Sequence, residues 1–502
     1  MKKIRALLMT ILALTWVSFV SGTTASGSPH HRLVSTPAGT PTIPGGVTDC
    51  QNHPTEIIAA GWERSYRAGC TDDSGQFAGG SEVLHLVEHQ EKLYAAVGYW
   101  MDERNPFYGG EDPTTGWAQI LRLDSPTAHW AVDLTMPRVL RPEILKSVTF
   151  TTDGTGKTLA EPVTLLLAAG FLDGGNNGVN LYTRDDTTGQ WVTSTIVPPS
   201  VTQTEGSSSV RAMQVYQDKV TGIEHLFITI GMWGVFSGVY DPVAPGSIRW
   251  ETVSETGLTT PRPLALIEAN GALLVSVGKR IYQRLDGPAP RWKVIVDESD
   301  LLPGIVVVNA PAGGIRGLTA IPAPNGAGES LIFLWAPGSD PEHGTIMRLD
   351  PDGQGGYQQF HEVDTASLLS AYLGTEIVWP IGAYNDFLPV TDPTTGREVY
   401  LFGMQTAIPE KTALPNYGPG FYAGALYGIR DSAEQYRVRE VNGKFPAGNP
   451  PLVSVRTYTL SPFPADQGQV IYFGGFDANY IPNSNTAWVF RTSLANALAR
   501  SQ

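Results

Sequence analysis

Six short strands that end in aspartate recur along the 502-residue chain, and no other feature restricts the fold as tightly. They are QILRLD (Gln119–Asp124), NLYTRD (Asn180–Asp185), SGVYD (Ser237–Asp241), RIYQRLD (Arg280–Asp286), TIMRLD (Thr345–Asp350) and ALYGIRD (Ala425–Asp431). A seventh, AWVFRTS (Ala487–Ser493), has the same form without the aspartate. A turn follows each of the first six, where aspartate suits the local chemistry because its carboxylate accepts backbone N–H groups. Then comes a strand with an aromatic near its start: Trp130, Trp191, Trp250, Trp292, Phe360 or Tyr436. Each aspartate-ended strand is preceded by an apolar strand, usually ending in glycine (Gly98, Gly170, Gly231, Gly278, Gly403, Gly474); the fifth ends at Trp335 instead. Before these lies an innermost strand: EVLHLV, SVTFTT, VRAMQVY, RPLALIE, RGLTAIP, DFLPV or VRTYTL. The chain therefore reads as units of four strands, a to d, repeating about every sixty residues.

The seventh unit lacks strand d at the C-terminal end, and GWERSYRAG (Gly61–Gly69) supplies the same pattern near the other end, with Trp62 in the aromatic place. A radial array of sheets cannot leave its first and last members unpaired, so the early strand is expected to complete the last sheet. Composition agrees with an all-β chain. Glycine (55) and proline (38) are abundant, only 16% of residues are charged, and long amphipathic helical patterns are absent. This organisation resembles the β-propeller superfamily over residues 55–495. The resemblance implies an all-β, seven-bladed β-propeller of four-stranded blades, its ring closed by an N-terminal strand. The WD dipeptide, the kelch double glycine and the sialidase-type Asp-box do not recur. No subfamily, and no catalytic residue of one, is implied.

The chain opens with Lys2, Lys3 and Arg5, then an apolar run from Ala6 to Val20 and small polar residues. That is the form of a secretory signal peptide, expected over 1–26; the competing reading is an uncleaved anchor. Residues 27–48, rich in Ser, Thr, Pro and Gly, read as a flexible lead-in, and 49–502 as one propeller domain. The net charge is −14, and the leader carries three of the cations, so the remainder carries −17. Such a balance argues against nucleic acid and anionic membranes as partners. No later segment is apolar enough to span a bilayer. Export, to the extracellular space or a periplasm, places Cys50 and Cys70 where a disulfide is the default state. Two cysteines alone cannot build a structural zinc site.

In propellers the start of each innermost strand and the b–c loops share one face, and the resemblance places two groups there. The first is a column of Glu82, Lys146, Arg211, Arg262, Arg316, Asn385 and Arg456, in which five cations are expected to ring the channel mouth. Guanidinium groups suit carboxylate, phosphate or sulfate; the competing reading is that they pair with neighbouring acids. The second is a wall from the long b–c loops of units one, six and seven, carrying Trp100, Tyr108, Tyr422 and Phe476 beside acids such as Asp102 and Glu103. Aromatic faces beside polar groups suit sugars or a protein partner; otherwise the loops pack on one another.

Other motifs read as structural. HLVEH (His85 to His89) fits a zinc-protease pattern, but that chemistry needs both histidines on one helix face. Here they are expected on a strand and its turn, diverging. GTGKT (Gly154–Thr158) reads as a hairpin turn. No cofactor is expected; Asp350-Pro-Asp-Gly reads as a turn, and the Asp173-Gly-Gly-Asn-Asn-Gly loop could offer oxygens to calcium.

The expectation is a non-catalytic extracellular recognition protein whose partner is an anionic glycan, a small anion or a protein. One alternative is a hydrolase or lyase acting on an acidic polysaccharide. The other is a structural subunit of a surface assembly.

Overall fold

The structure is a computed structural model. It describes residue 50 and residues 60–99, 117–172, 178–197, 209–257, 259, 262–301, 314–336, 344–377, 379–382, 386–409, 422–442, 452–476 and 485–500. All belong to the second of two compact units, Val47–Gln502; the first is Met1–Gly46. The expected signal peptide and lead-in lie outside the described residues.

The molecule is all-β, and most of its strands pair antiparallel in sets of four, as the blades of a propeller do. The first set runs Glu82–His89, Lys92–Gly98, Gln119–Leu123, Ala131–Thr135. The second is Val139–Thr152, Thr158–Leu172, Val179–Asp185, Gln190–Val197. The third to fifth sets begin at Val210–Gln217, Pro263–Ala269 and Gly314–Pro322 and repeat the order. The sixth divides its innermost position: Leu388–Thr391 pairs with the start of Glu398–Ala407, and Trp379–Gly382 with its end. The last set is Leu452–Leu460, Val470–Phe476, Trp488–Ser493 and then Trp62–Arg67, with Trp62 opposite Thr492 and Arg67 opposite Trp488. Successive residues point to opposite faces, so near-continuous apolar runs such as Leu93–Gly98 and Leu273–Val277 bury both faces of the inner strands, and turns rich in Gly, Asp and Thr end the strands.

Those faces are buried against neighbouring sheets. Apolar clusters sit between successive units: Ala96 and Ile120 against Leu145 and Leu166, Phe150 and Leu181 against Met213 and Ile228, and so on around the molecule. One more joins the seventh unit to the first, packing Tyr66, Tyr472 and Val489 on Val83, Leu93 and Trp130. Each fully buried Leu, Ile or Val contributes about 1.5–3 kcal/mol.

Polar latches reinforce the same joints. Four of the six aromatics that open strand d reach back to strand d of the preceding unit. Trp130 Nε1 donates to Ser65 Oγ (3.0 Å), Trp191 to Asp133 (2.8 Å) and Trp250 to Ser194 (3.2 Å), and the Tyr436 hydroxyl donates to Glu362. Arginines of strand c do likewise: Arg184 with Asp133 (2.9 Å), Arg284 with Glu255 (2.9 Å), Arg430 with Glu362 (2.7 Å). This corrects the reading of the recurrent aspartates as turn residues. Asp185 does hold its turn, through Thr187 N and Thr188 Oγ1. Asp124, Asp286 and Asp350, however, pair with Arg122, Arg284 and Arg348 two residues earlier (2.7–2.9 Å) and fix those guanidinium groups in place.

Cys50 and Cys70 form a disulfide with Cα atoms 5.2 Å apart. Cys50 O accepts from Trp130 N (2.8 Å), and Cys70 pairs with Ala78, so the bridge braces the segment beside the last d strand. Replacing both cysteines by serine should lower unfolding stability by about 3 kcal/mol, as expected for a loop of this length. Urea denaturation of the double variant measures this; an unchanged midpoint would contradict the bracing role.

Candidate functional site

Near its start, most innermost strands carry a β-bulge. The register breaks between Val83 and His85, Arg141 and Ile144, Val210 and Met213, Pro263 and Ala265, Arg316 and Thr319, and Val455 and Thr457. Bulges free backbone groups from the ladder and re-aim side chains. Hydroxyls take up some of those amides: Ala212 N donates to Thr229 Oγ1 (3.0 Å) and Ala265 N to Ser276 Oγ (3.1 Å). Others link units, as Leu86 N does to Thr457 Oγ1 and Phe387 N to Thr319 Oγ1, both at 2.9 Å.

The bulges enclose a cavity of about 250 Å³, lined by innermost segments of units one, two, three, four, six and seven. Leu84, Leu86, Ala212, Leu264, Leu266 and Leu388 supply apolar wall; His85, Glu143, Lys146, Arg211, Asp386, Thr457 and Tyr458 supply polar groups. Lys146 also lines a second cavity, of about 340 Å³, with Gln214, Lys219, Glu224 and Glu268.

The five cations do not form the open ring that the sequence suggests. Arg211 is buried and pairs with Glu143 at 2.8 Å, and Glu143 also takes Arg141 at 3.5 Å and the Ser209 hydroxyl. Arg141 in turn pairs with Glu82 at 2.5 Å. Arg316, 1% exposed, donates to Gly382 O (3.2 Å). Arg456 donates to Gln405 Oε1 (3.4 Å) and lies 4.5 Å over the Phe476 ring. Arg262 is half-buried and makes no ion pair among the described residues. Of the five, only Lys146 and Arg211 line the cavity. The second innermost strand begins at Val139, so Arg141 precedes its bulge and Lys146 follows it, whereas Arg211 and Arg456 sit within theirs.

Lys146 Nζ donates to two neutral oxygens, Met213 O (2.9 Å) and Gln214 Oε1 (3.1 Å). Burial lowers its pKa, while Asp386 pulls it upward. Burial raises the Asp386 carboxyl, which Lys146 opposes. Asp386 is itself exposed and lines the cavity. The Tyr458 hydroxyl donates to the Asp386 carbonyl (2.8 Å) and is held well above its usual range by burial and by the Asp386 charge.

His85 Nε2 donates to Glu143 O (2.7 Å), so the proton sits there and Nδ1 keeps its lone pair. Burial, together with Arg141, Arg211 and Lys146, brings its pKa down to about 4. His89 meets Ser147 Oγ (2.9 Å) and Asp186 (2.7 Å). The two histidines were expected to diverge. They share the strand Glu82–His89 and both turn toward Val139–Thr152, with no group of metal ligands among the described residues.

Trp100 and Tyr108, Asp102 and Glu103, and most of the Asp173 loop lie outside the described residues. Tyr422 is buried, its hydroxyl on Glu440 (2.5 Å), and Phe476 is buried beneath Arg456. Neither presents an open aromatic face. GTGKT is a hairpin turn, with Asp153 accepting Thr155 N and Lys157 N. Glu143, Asp386 and Tyr458 were missed in the sequence. Asp386 opens DFLPV, one residue past Asn385, and an alignment one residue later would have found it.

No family model matches the chain, and no curated protein matches it in sequence. Among solved structures it is similar to a GH93 α-L-arabinofuranosidase of Fusarium graminearum in complex with arabinobiose, at 10% identity and TM-score 0.40, over 89% of this chain and 98% of that one. A structure described as a putative gluconolactonase matches at 12% identity and TM-score 0.30, over 71% and 91%. A computationally designed protein, Ika8, matches at 10% and 0.35, over 82% and 96%. Likeness at this level carries nothing about activity. Among the described residues no helix is long and apolar enough to cross a membrane.

The His85 environment sets a pH dependence. The unfolded imidazole takes up a proton near 6.5, the folded one near 4. The unfolded state therefore binds more protons between these values, and stability falls as pH drops from about 6.5 to about 4. Chemical denaturation of wild type and His85→Gln across this window should show a shallower fall in the variant. Parallel curves would show that His85 is not the group responsible.

Proposed function

We propose that the chain is a secreted recognition module, a seven-bladed propeller closed by Trp62–Arg67, whose hub cavity binds a small anionic ligand such as one acidic sugar residue. The apolar clusters between successive units and the pairing of the first strand with the last support the closed ring. The disulfide and the basic, apolar leader support export. One observation carries the ligand class: the Lys146 ammonium opens onto the cavity bonded to neutral oxygens alone among the described residues. A half-buried cation without a carboxylate at contact is poised for a ligand anion, which would add a charge-assisted hydrogen bond. Arg211 cannot offer the same, because Glu143 holds its charge. A cavity of this size fits a single sugar or smaller anion rather than a chain.

The hydrolase or lyase alternative has one observation in its favour, a neutral imidazole at His85 on the cavity wall. It would release new reducing ends or unsaturated uronates from an acidic polysaccharide; the recognition reading expects neither.

Isothermal titration with glucuronate and with glucose tests the proposal. Glucuronate should bind and glucose should not. Lys146→Met should cost about 1.5–3 kcal/mol of binding, the worth of a hydrogen bond to a charged group. Equal binding of both sugars, or an unaffected Lys146→Met variant with a normal melting curve, would refute it.

A further inference from the structure

The anion is half of what the cavity asks for. On the sixth unit, Asp386 lines the same space as Lys146. No hydrogen bond or ion pair to its carboxylate is formed among the described residues; its backbone carbonyl takes the Tyr458 hydroxyl. Lys146 and Asp386 sense each other's charge without forming an ion pair. The other charges on the wall are spent: Arg211 and Glu143 hold one another, with Arg141 behind them. Two opposite charges therefore remain on the wall of one space of about 250 Å³. A simple anion would satisfy Lys146 and leave the Asp386 carboxylate facing the same space as a second negative charge. A ligand carrying both signs would answer both groups and align with the field between them.

We infer that the hub cavity is a two-point site for a zwitterion, an amino-carboxylate whose carboxylate meets Lys146 and whose ammonium meets Asp386. This rests on the reading of the hub cavity as an anion site and narrows it. Amino acids and amino-sugar acids share this chemistry, and the apolar wall of Leu84, Leu264 and Leu388 accommodates the carbon frame between the charges.

The test uses calorimetric titration of the whole chain with three matched probes: glucuronate, 2-amino-2-deoxyglucuronate and glucosamine. The amino-uronate should bind at least about tenfold more tightly than glucuronate, as a second charge-assisted contact implies, and glucosamine least tightly of the three. Asp386→Asn should abolish that advantage and leave glucuronate bound at least as well as before, since a repelling charge is gone. Lys146→Met should weaken both acids. Asp386→Ser serves as a second variant, and melting curves establish that each variant is folded. If glucuronate binds as well as the amino-uronate, the zwitterion assignment is overturned while the anion site stands. If the advantage survives in both folded Asp386 variants, the assignment to Asp386 is overturned. If no probe binds, both readings fall.

Discussion

Glu63 and Arg491 are 428 positions apart in the chain and hydrogen-bond at 3.2 Å across two paired strands. That pairing, of Trp62–Arg67 with Trp488–Ser493, conditions everything else. Without it the last sheet would end in an open edge, and the cluster of Tyr66, Tyr472 and Val489 against the first unit would lose its outer layer. The Trp130–Ser65 hydrogen bond, which copies the latch made at other joints, would have no acceptor. Closing so long a loop costs only a slowly growing entropy, and the apolar surface buried at the joint offsets it. The Cys50–Cys70 disulfide acts separately, by restricting the unfolded chain around Trp62 itself.

The architecture was legible because it rests on period-two alternation and turn residues, which local sequence carries directly. The four-strand units and the completing strand at Trp62 came from that pattern alone. The cation column did not, because a bulge consumes an extra residue at a place that composition does not mark. In the second unit the innermost strand begins at Val139, well before the SVTFTT segment, so Lys146 falls past the bulge and Arg141 lies at its start. The aspartates were visible but their partners were not. That Arg284 reaches Glu255 of the preceding unit, as well as Asp286 beside it, depends on sheets packed face to face. The sixth unit was obscure because its innermost position is shared by Trp379–Gly382 and Leu388–Thr391.

A division of labour among the charges follows. Arginine, with its planar fork, holds joints between sheets and the rim of the bulges: Arg184 and Arg211 are fixed by carboxylates, Arg456 by an amide and Arg316 by a carbonyl oxygen. Lysine, a point charge on a flexible stem, is the cation left at the cavity. The acidic net charge of the chain does not extend to this spot. Local sign at the hub is set by which side chains the bulges turn inward, not by overall composition.

Hydrogen exchange followed by mass spectrometry tests the closed ring most directly. The hydrogen-bonded amides of residues 62–67 should be as slow as those of 488–493, and the two segments should lose protection together as denaturant is raised. Exchange of 62–67 within seconds, while 488–493 stays protected, would show that the early strand does not complete the last sheet.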